Sequence, residues 1–475
     1  MSSPLFVSVD DIRTRFSAVM SEMYRTEVPQ YGALLDLVKS VNTTTLEHDT
    51  SLREGMIRHK EMDRLDVERH GAIRLGTALE LSTMRRVFAV MGMFPVGYYD
   101  LSVAGVPVHS TAFRPVDDAS LRINPFRVFT SLLRLDLISD PSLRDDVEAI
   151  LARRRIFSDR ALALVAQAET NGGLDDAQAD EFVGEVRETF RWHSQATVDA
   201  ATYKRLHDAH RLIADVVSFK GPHINHLTPR TLDIDKAQVE MPRRGMRAKA
   251  VIEGPPARRH PILLRQTSFT ALEEAIVFPD DQGGVSGTHT ARFGEIEQRG
   301  MALTPAGRQL YDALLARVRD DDAVGSSSND YATRLTDAFT AFPDDLAEIH
   351  ARRLAFFRYA VKDAEAFKSA ASADPRPDFN IDRLLQAGVI DATPIIYEDF
   401  LPVSAAGIFQ SNLGGAEQQS YAANAAKSAF EASLGAAVWD ELMLYERTQE
   451  ASITDLMRIY ASLSPSELVV NKPLP

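Results

Sequence analysis

The stretch Gly221-Pro-His-Ile-Asn-His-Leu-Thr-Pro-Arg230 places two histidines in a segment that begins with strand character and reaches a proline near its end. Side chains on a strand alternate between its two faces, so His226 shares a face with Thr228 and His223 falls on the opposite face. A metal ion bound on one face of a sheet would contact only one of these histidines. The pattern predicts a ligand strand and leaves open which histidine is the ligand.

An earlier run, Glu68-Arg-His-Gly-Ala-Ile-Arg74, also predicts a strand. Period two puts His70 and Arg74 on one face of it. The two residues are separated by roughly 13 Å along the strand, at ~3.3 Å per residue, and a long arginine side chain can reach back across that distance. A guanidinium holds a carboxylate through two hydrogen bonds, so Arg74 is a candidate for binding an acidic substrate.

A later run, Ala291-Arg-Phe-Gly-Glu-Ile-Glu-Gln-Arg299, predicts a third strand, with Glu295 and Glu297 on the same face. We predict that His70, His226 and Glu295 bind a single metal ion. By spacing alone, His223 could replace His226 and Glu297 could replace Glu295. Further histidines are available elsewhere in the chain: His59, His109, His193, His260 and His289.

The chain contains no cysteine, so a metal site must use His, Asp or Glu, which favours iron, manganese or zinc. Two histidines and one carboxylate leave open coordination positions on one side of a metal, a geometry that suits Fe(II) enzymes binding both a substrate and O2. A 2-oxo acid can fill two of these positions. The composition itself does not identify iron.

Composition narrows the class of protein. Of 475 residues, 45% are hydrophobic and 25% charged, which is ordinary for a soluble globular chain. The formal charge of −14 argues against nonspecific binding of nucleic acid. We expect no membrane span and no signal peptide, and hence a cytoplasmic protein that acts on a small molecule. The sequence does not indicate an oligomeric state.

The order of predicted elements favours an α+β fold in which two β-α-β-β-β modules form a metal-binding sheet surrounded by large helical segments. The repeat rests on element order alone. In the second module we predict strands at 223–228, 247–253, 262–269 and 290–298, with a weak helix at 233–241. The predicted segments are N-terminal helices at 1–66, a first module at 67–130, a helical insertion at 131–220, a second module with metal ligands at 221–300, a helical segment at 301–395, and a return strand with C-terminal helices at 396–475.

Two of these motifs carry a resemblance. Asn225-His-Leu-Thr-Pro-Arg230 and Glu295-Ile-Glu-Gln-Arg299 resemble the ligand strands of the vicinal-oxygen-chelate superfamily, in particular 4-hydroxyphenylpyruvate dioxygenase and hydroxymandelate synthase. In those enzymes one histidine opens each of two β-α-β-β-β modules, and a glutamate closes the second. Glu295 stands where that glutamate would be, which favours it over Glu297. The family has an apolar residue where this chain has Glu297.

A resemblance covering nearly the whole chain is to the bacterial 2-oxoadipate dioxygenase/decarboxylase family, also called hydroxyglutarate synthase. Its motifs are Arg69-His-Gly-Ala-Ile-Arg74, His223-Ile-Asn-His-Leu-Thr-Pro-Arg-Thr-Leu-Asp233, Phe293-Gly-Glu-Ile-Glu-Gln-Arg-Gly300 and Tyr397-Glu-Asp-Phe-Leu-Pro-Val-Ser404. This resemblance implies an Fe(II) enzyme of lysine catabolism that converts 2-oxoadipate and O2 to 2-hydroxyglutarate and CO2.

The same resemblance implies roles for individual residues. It implies metal ligands at His70, His226 and Glu295, which would also contact the substrate, and a substrate-carboxylate clamp at Arg74. It also implies substrate contacts at Val403 and Ser404. Two alternatives stay open: an arylpyruvate-type dioxygenase of the same fold, and a metal-dependent binding protein without turnover.

Overall fold

The computed structural model describes residues 6–269, 271–280, 284–320, 328–373, 379–401 and 426–463. The elements of the first half are, in chain order, α1 Val9–Glu27, α2 Tyr31–His48, α3 Thr50–Arg58, α4 Met62–Val67, β1 Arg69–Leu75, α5 Ala78–Val90, β2 Phe94–Asp100, β3 Val108–Arg114, α6 Asp118–Ile123, β4 Arg127–Leu133, α7 Pro141–Arg153, α8 Asp159–Asn171, α9 Asp176–Phe190, α10 Ala200–Ala209 and α11 Arg211–Val217.

The second half continues with β5 Leu227–Pro229, α12 Ile234–Arg243, β6 Leu264–Ser268, β7 Glu274–Phe278, β8 Val285–His289, β9 Glu295–Arg299, α13 Pro305–Asp320, α14 Ser328–Phe339, α15 Leu346–Ala351, β10 Phe357–Val361, α16 Ala364–Ala373, α17 Ile381–Gln386, β11 Ile390–Pro394, α18 at residues 426–434 and α19 Glu441–Leu463. The predicted α+β class is confirmed.

The chain folds into two compact units. The first comprises Met1–Pro255, Leu264–Arg299 and Asp399–Asp440, and the second comprises Pro256–Leu263, Gly300–Glu398 and Glu441–Pro475. No helix in the described part of the chain is both long and apolar enough to cross a bilayer. The cytoplasmic location expected from the sequence stays a prediction.

Local chemistry sets the start of two helices, α5 and α9. The Thr77 side chain accepts from the backbone N–H of Glu80, and the Glu80 carboxylate accepts from the backbone N–H of Thr77, which together form a capping box at the start of α5. Asp175 and Gln178 form the same arrangement at α9. These caps satisfy backbone groups that a helix leaves free at its first turn.

The main sheet of the first unit has five strands in the order β2-β3-β4-β1-β5. Strand β1 runs parallel to β4 and antiparallel to β5, which places His70 opposite Arg127 on one side and Thr228 on the other. Strands β3 and β4 are buried along their whole length, so the sheet is covered on both faces. The position of β1 between two paired strands fixes His70 in the interior.

The predicted strand at 223–228 is shorter than expected. Strand β5 begins only at Leu227, because the backbone N–H of Ile224 donates to Phe190 at the end of α9, although that of Asn225 already donates to Ala72 on β1. Between α11 and β5 the chain therefore runs as an irregular segment and becomes a regular strand only after His226.

Strand β9 pairs antiparallel with β6, and two bridges extend this pairing. Arg230, just after β5, forms a parallel bridge with Glu297, and Glu253 forms an antiparallel bridge with Gln266. The segment 247–253, predicted as a strand, contributes only isolated bridges, because it ends at Gly254 and two prolines that interrupt a ladder.

The hairpin of β7 and β8 was not predicted, and its second strand includes Gly287. The ring of Phe278 lies over Gly287 and fills the space that a side chain would take. Glycine in a strand is often found where another group approaches this closely. The hairpin therefore follows from a tertiary contact rather than from a hydrophobic pattern.

The core of the first unit lies between the sheet and the helices. Ile12, Phe16 and Met20 recur every four residues along α1 and form one buried stripe. The ring of Phe16 contacts Phe126 and Phe190 edge to face, at centroid distances of 5.8 and 5.3 Å.

In the second unit, helices α16, α17 and α19 pack around the two-stranded sheet of β10 and β11. The segment 301–395, predicted as helical, contains five helices in its described part and also these two strands. The predicted return strand is reduced to one bridge between Met301 and Ile396, and its part beyond residue 401 lies outside the described residues.

Candidate metal and substrate site

Three ligand-type side chains converge in the first unit: His70 on β1, His226 just before β5, and Glu295 at the start of β9. Nε2 of His70 lies 3.0 Å from Oε2 of Glu295, and Nε2 of His226 lies 3.7 Å from the same oxygen. All three residues are buried, and one ligand atom from each lies within 4.8 Å of the others. The structure thus brings together the three residues that the sequence singled out as ligands.

This donor set fits a metal ion. Two imidazole nitrogens and one carboxylate oxygen converge on one point, and Nδ1 of His226 has no hydrogen-bond partner in the described part of the chain. Nitrogen and oxygen ligands of this kind suit Fe(II), Mn(II) and Zn(II).

The close approach of the segment before β5 depends on Gly71. This residue pairs with Leu227, and a Cβ at Gly71 would lie 2.9 Å from the carbonyl oxygen of His226 and would also meet Ile224. Because glycine has no side chain, the His226 backbone can lie directly against β1.

The Glu295 carboxylate is held by two further donors. The hydroxyl of Thr228 donates to Oε2 at 2.9 Å, and the side-chain amide of Gln266 donates to the same oxygen at 3.0 Å. These contacts fix the orientation of the carboxylate before any ligand arrives.

Glu297 contacts the other nitrogen of His70. Its Oε2 lies 2.9 Å from Nδ1, and Arg299 donates to both of its oxygens at 2.9 Å. A carboxylate at Nδ1 favours a proton on that nitrogen, so that Nε2, which lies against Glu295, would be the nitrogen that binds a metal ion. Glu297 therefore supports a candidate ligand instead of joining the set itself.

Burial and charge shift the pKa values of the site in a consistent way. Burial lowers the pKa of His226 to about 4, so its ring is neutral at pH 7. Burial alone would raise the pKa of Glu297, but Arg299 and His70 hold it at about 2. Burial opposes protonation of His70, yet Glu297 and Glu295 raise its pKa above the ordinary value. Burial would also raise the pKa of Glu295, but the two histidines and Thr228 hold it below its ordinary value.

A cavity of about 380 Å³ opens onto this set, a size typical of small-molecule sites. Its wall includes Arg74, whose Nη1 donates to Oδ2 of Asp215 at 2.7 Å. Phe129 and Phe400 form an apolar part of the wall, and the Phe400 ring meets the His70 ring edge to face at 5.0 Å.

His223 lies apart from His226, in a second buried group with Asp215 and His289. Nε2 of His289 and Nε2 of His223 lie 2.9 and 3.2 Å from Oδ1 of Asp215. The sequence analysis named His289 only as one of several available histidines, and it missed Asp215, because a single aspartate on a helix carries no signal of its partners.

The remaining candidates fall elsewhere. Neither of the two ligand groups found among the described residues contains His59, His109, His193 or His260. A larger cavity of about 1250 Å³ lies in the second unit and is lined by neither ligand group. Val403 and Ser404 lie outside the described residues.

A mixed α+β protein with two histidines and a carboxylate converging on a small-molecule cavity is typical of a metal-dependent enzyme. The family model described as 2-oxoadipate dioxygenase/decarboxylase matches residues 16–412. A protein of Pseudomonas putida named 2-oxoadipate dioxygenase/decarboxylase is 57% identical over 453 residues, which is 94% of this chain and 96% of that protein. An Escherichia coli protein of the same name is 56% identical over 449 residues, 94% of this chain and 98% of that one.

A solved structure gives the same result. The crystal structure of hydroxyglutarate synthase from Pseudomonas putida in complex with 2-oxoadipate matches with a TM-score of 0.88 at 55% identity, covering 96% of this chain and 99% of that one. The chain belongs to the 2-oxoadipate dioxygenase/decarboxylase family. The family predicted from the four motifs, and with it the prediction of an oxidoreductase, is confirmed.

Proposed function

We propose that this protein is an Fe(II)-dependent enzyme of lysine catabolism that converts 2-oxoadipate and O2 to 2-hydroxyglutarate and CO2, with His70, His226 and Glu295 as the metal ligands. The observation that carries this proposal is the convergence of these three side chains on one point in the wall of a cavity that also contains Arg74. The reaction balances without a second oxo acid, because both atoms of O2 are accounted for in the products.

We further propose that two β-α-β-β-β modules form the sheet, within the predicted segments 67–130 and 221–300. The pairing of strands supports this. Strand β1 is parallel to β4, and the residue after β5 bridges β9 in parallel. Strand β4 is antiparallel to β3, as β9 is to β6, so the β7–β8 hairpin would be an insertion in the second module.

Bound Fe(II) would supply a Lewis acid for the 2-oxo carboxylate and redox chemistry toward O2. The chain supplies the rest. Arg74 would bind the distal carboxylate and so fix which carbon lies next to the metal. Glu297 would hold the proton of His70 on Nδ1, and Phe129 and Phe400 would exclude water from the reacting end.

Arg74 also separates the two candidate enzymes. An arylpyruvate substrate would need an aromatic pocket without a distal cation. The side chain of Arg74 lines the cavity and is 25% exposed, so a cation is available to a diacid. This favours 2-oxoadipate over an arylpyruvate.

The proposal is tested by mixing anaerobic protein with Fe(II) and 2-oxoadipate, then adding O2 and measuring CO2 and 2-hydroxyglutarate. We expect one CO2 per O2 consumed and little release from 4-hydroxyphenylpyruvate. Tight binding of 2-oxoadipate without CO2 would support the non-catalytic binding protein, and turnover of the arylpyruvate alone would support the other enzyme.

Single substitutions test the ligand assignment through iron content. His70→Ala, His226→Ala and Glu295→Ala should each lose bound iron, since a three-ligand site does not tolerate loss of one ligand. His223→Ala is the matched control and should retain iron. Iron retained in His226→Ala and lost in His223→Ala would show that the wrong histidine was chosen.

A further inference from the structure

Arg74 is attached to a buried hydrogen-bonded chain outside the metal site. Its Nη1 donates to Oδ2 of Asp215 at 2.7 Å, and Asp215 is itself only 7% exposed. Within the described part of the chain this is the single hydrogen bond that Arg74 makes, so Nε and Nη2 are left for a ligand in the cavity. The contact uses one edge of the guanidinium and leaves the other free.

Asp215 receives donors on both of its oxygens. A carboxylate can only accept, so Nε2–H of His289 donates to Oδ1 at 2.9 Å, and Nδ1 of the same ring accepts from the hydroxyl of Tyr203 at 2.8 Å. Nε2 of His223 lies 3.2 Å from Oδ1. Burial alone would raise the pKa of Asp215, but His223 and Arg74 hold it well below its ordinary value, so the carboxylate stays ionised.

The supporting rings are fixed by packing. Trp192 stacks on His289 with an interplanar angle of 10° and meets His223 edge to face at 4.6 Å. Phe219 packs against His289 at 4.7 Å. Arg74, His289 and His223 come from β1, β8 and the approach to β5, so three separate parts of the first unit meet at the Asp215 carboxylate on α11.

We propose that Asp215, which accepts from His289 and lies 3.2 Å from Nε2 of His223, is a positioning residue that fixes the Arg74 guanidinium and thereby sets the preference of the cavity for 2-oxo diacids over 2-oxo monoacids. This rests on the proposed function, in which Arg74 binds the distal carboxylate. An unsupported arginine would sample many rotamers and would lose that freedom each time a substrate bound.

The same three side chains, Asp215, His223 and His289, have ligand chemistry, but their setting favours positioning over a second metal ion. Arg74 already neutralises Asp215 at contact distance, and a divalent cation on Oδ1 would lie close to that guanidinium. His289 has both nitrogens engaged in hydrogen bonds that form a complete chain from Tyr203 to Arg74.

The decisive variant is Asp215→Asn. It keeps the shape of the side chain but has one acceptor oxygen, while Arg74 and His289 both donate, so one of them loses its partner. We expect KM for 2-oxoadipate to rise by about tenfold or more, the scale of a weakened charged hydrogen bond, with kcat changed far less. For 2-oxohexanoate, which has the same chain length without the distal carboxylate, both constants should match those of the parent.

Anaerobic calorimetry of the iron-loaded protein with the two acids gives the same comparison without turnover. The matched control is Asp136→Asn, which removes the same charge from an exposed pair with Arg134 at 2.6 Å and should leave both substrates unaffected. If Asp215→Asn does not fold, Tyr203→Phe decides the matter. It removes only the hydroxyl that orients His289, and should raise KM for the diacid alone by about two- to fivefold.

Arg74→Ala separates failure of this inference from failure of the proposed function. A diacid preference that survives Arg74→Ala would show that Arg74 is not the clamp. If Arg74→Ala loses the preference while Asp215→Asn and Tyr203→Phe keep it, the positioning role is overturned. An equal loss for both acids in Asp215→Asn, or a second metal equivalent that this variant loses, would also overturn it.

Discussion

Glu297 shows at the residue scale how one side chain can serve two partners. Its Oε2 faces Nδ1 of His70, and both of its oxygens accept from Arg299. Glu297→Gln would keep the shape but turn an amide donor toward one of these partners. We expect iron affinity to fall by about 10- to 100-fold, as found when carboxylates that orient a histidine ligand are removed.

Equilibrium dialysis against Fe(II) under anaerobic conditions measures this change. Gln298→Glu is not a suitable control, because the side-chain amide of Gln298 donates to the backbone carbonyl of Leu232. Glu169→Gln is a better control, because Glu169 forms an exposed ion pair with Arg86. An unchanged iron affinity in Glu297→Gln would remove Glu297 from the site.

Strand alternation placed His70 and Glu295 on faces that a shared metal ion could reach, but it left His223 open beside His226 and Glu297 open beside Glu295. The resemblance to known motifs then selected Glu295 over Glu297. Asp215 could not be predicted in this way. Its partners are chosen by the packing of α11 against other elements, and nothing within its own helix indicates them.

At the scale of the element, β1 can accept the His226 segment only because Gly71 has no side chain. In Gly71→Ala the new Cβ would press on the His226 carbonyl at 2.9 Å, with backbone on both sides of the contact. We expect a loss of about 1–3 kcal/mol in the free energy of unfolding, together with weaker iron binding, because the displaced segment carries a candidate ligand.

Urea unfolding followed by tryptophan fluorescence measures the first part, since Trp192 and Trp439 both lie in the first unit. The control is Gly184→Ala in α9, where no atom lies within 4 Å of the new Cβ and stability should stay the same or rise. Wild-type stability and iron binding in Gly71→Ala would contradict the close-approach argument.

The elements that sequence patterns predicted well are those with local causes. The alternation of side chains along β1 depends only on neighbouring residues. The hairpin of β7 and β8, the pairing of β10 with β11 and the late start of β5 depend on distant partners. The local sequence does not indicate such distant partners, so these features were missed or misplaced.

On the scale of the whole molecule, the net charge is negative, but one buried carboxylate is surrounded by arginines. Glu68 is fully buried and is bonded by Arg64, Arg127 and Arg230, with Arg299 at 3.7 Å. These arginines come from α4, β4, the residue after β5, and β9, so one carboxylate joins strands from both proposed modules. Burial alone would raise the pKa of Glu68, but the arginines hold it well below its ordinary value.

Glu68 should therefore make stability depend on acid pH. A carboxylate whose folded pKa is depressed contributes fully above its unfolded pKa, near 4.5, and loses that contribution as pH falls below it. In Glu68→Gln we expect the free energy of unfolding at pH 7 to fall by about 3–5 kcal/mol, since the buried arginines around Glu68 lose one shared negative charge, and we expect a shallower loss of stability below pH 4.5.

Urea titrations at a series of pH values, followed by the same two tryptophans, measure both effects. Glu169→Gln again serves as control, because exposed ion pairs contribute little. If Glu68→Gln is as stable as the parent at pH 7 and loses stability below pH 4.5 as steeply, other groups balance the charge of the arginines.

The separation of the candidate ligands along the chain has a consequence for biosynthesis. His70 and Glu295 are 225 residues apart, so a ribosome must release most of the first unit before the third ligand exists outside the exit tunnel. Until then a nascent chain offers at most two of the three side chains, and these are not yet packed against each other. Metal loading would then be a late step in maturation. Stable iron binding would require that the first unit has folded with all three ligands in place.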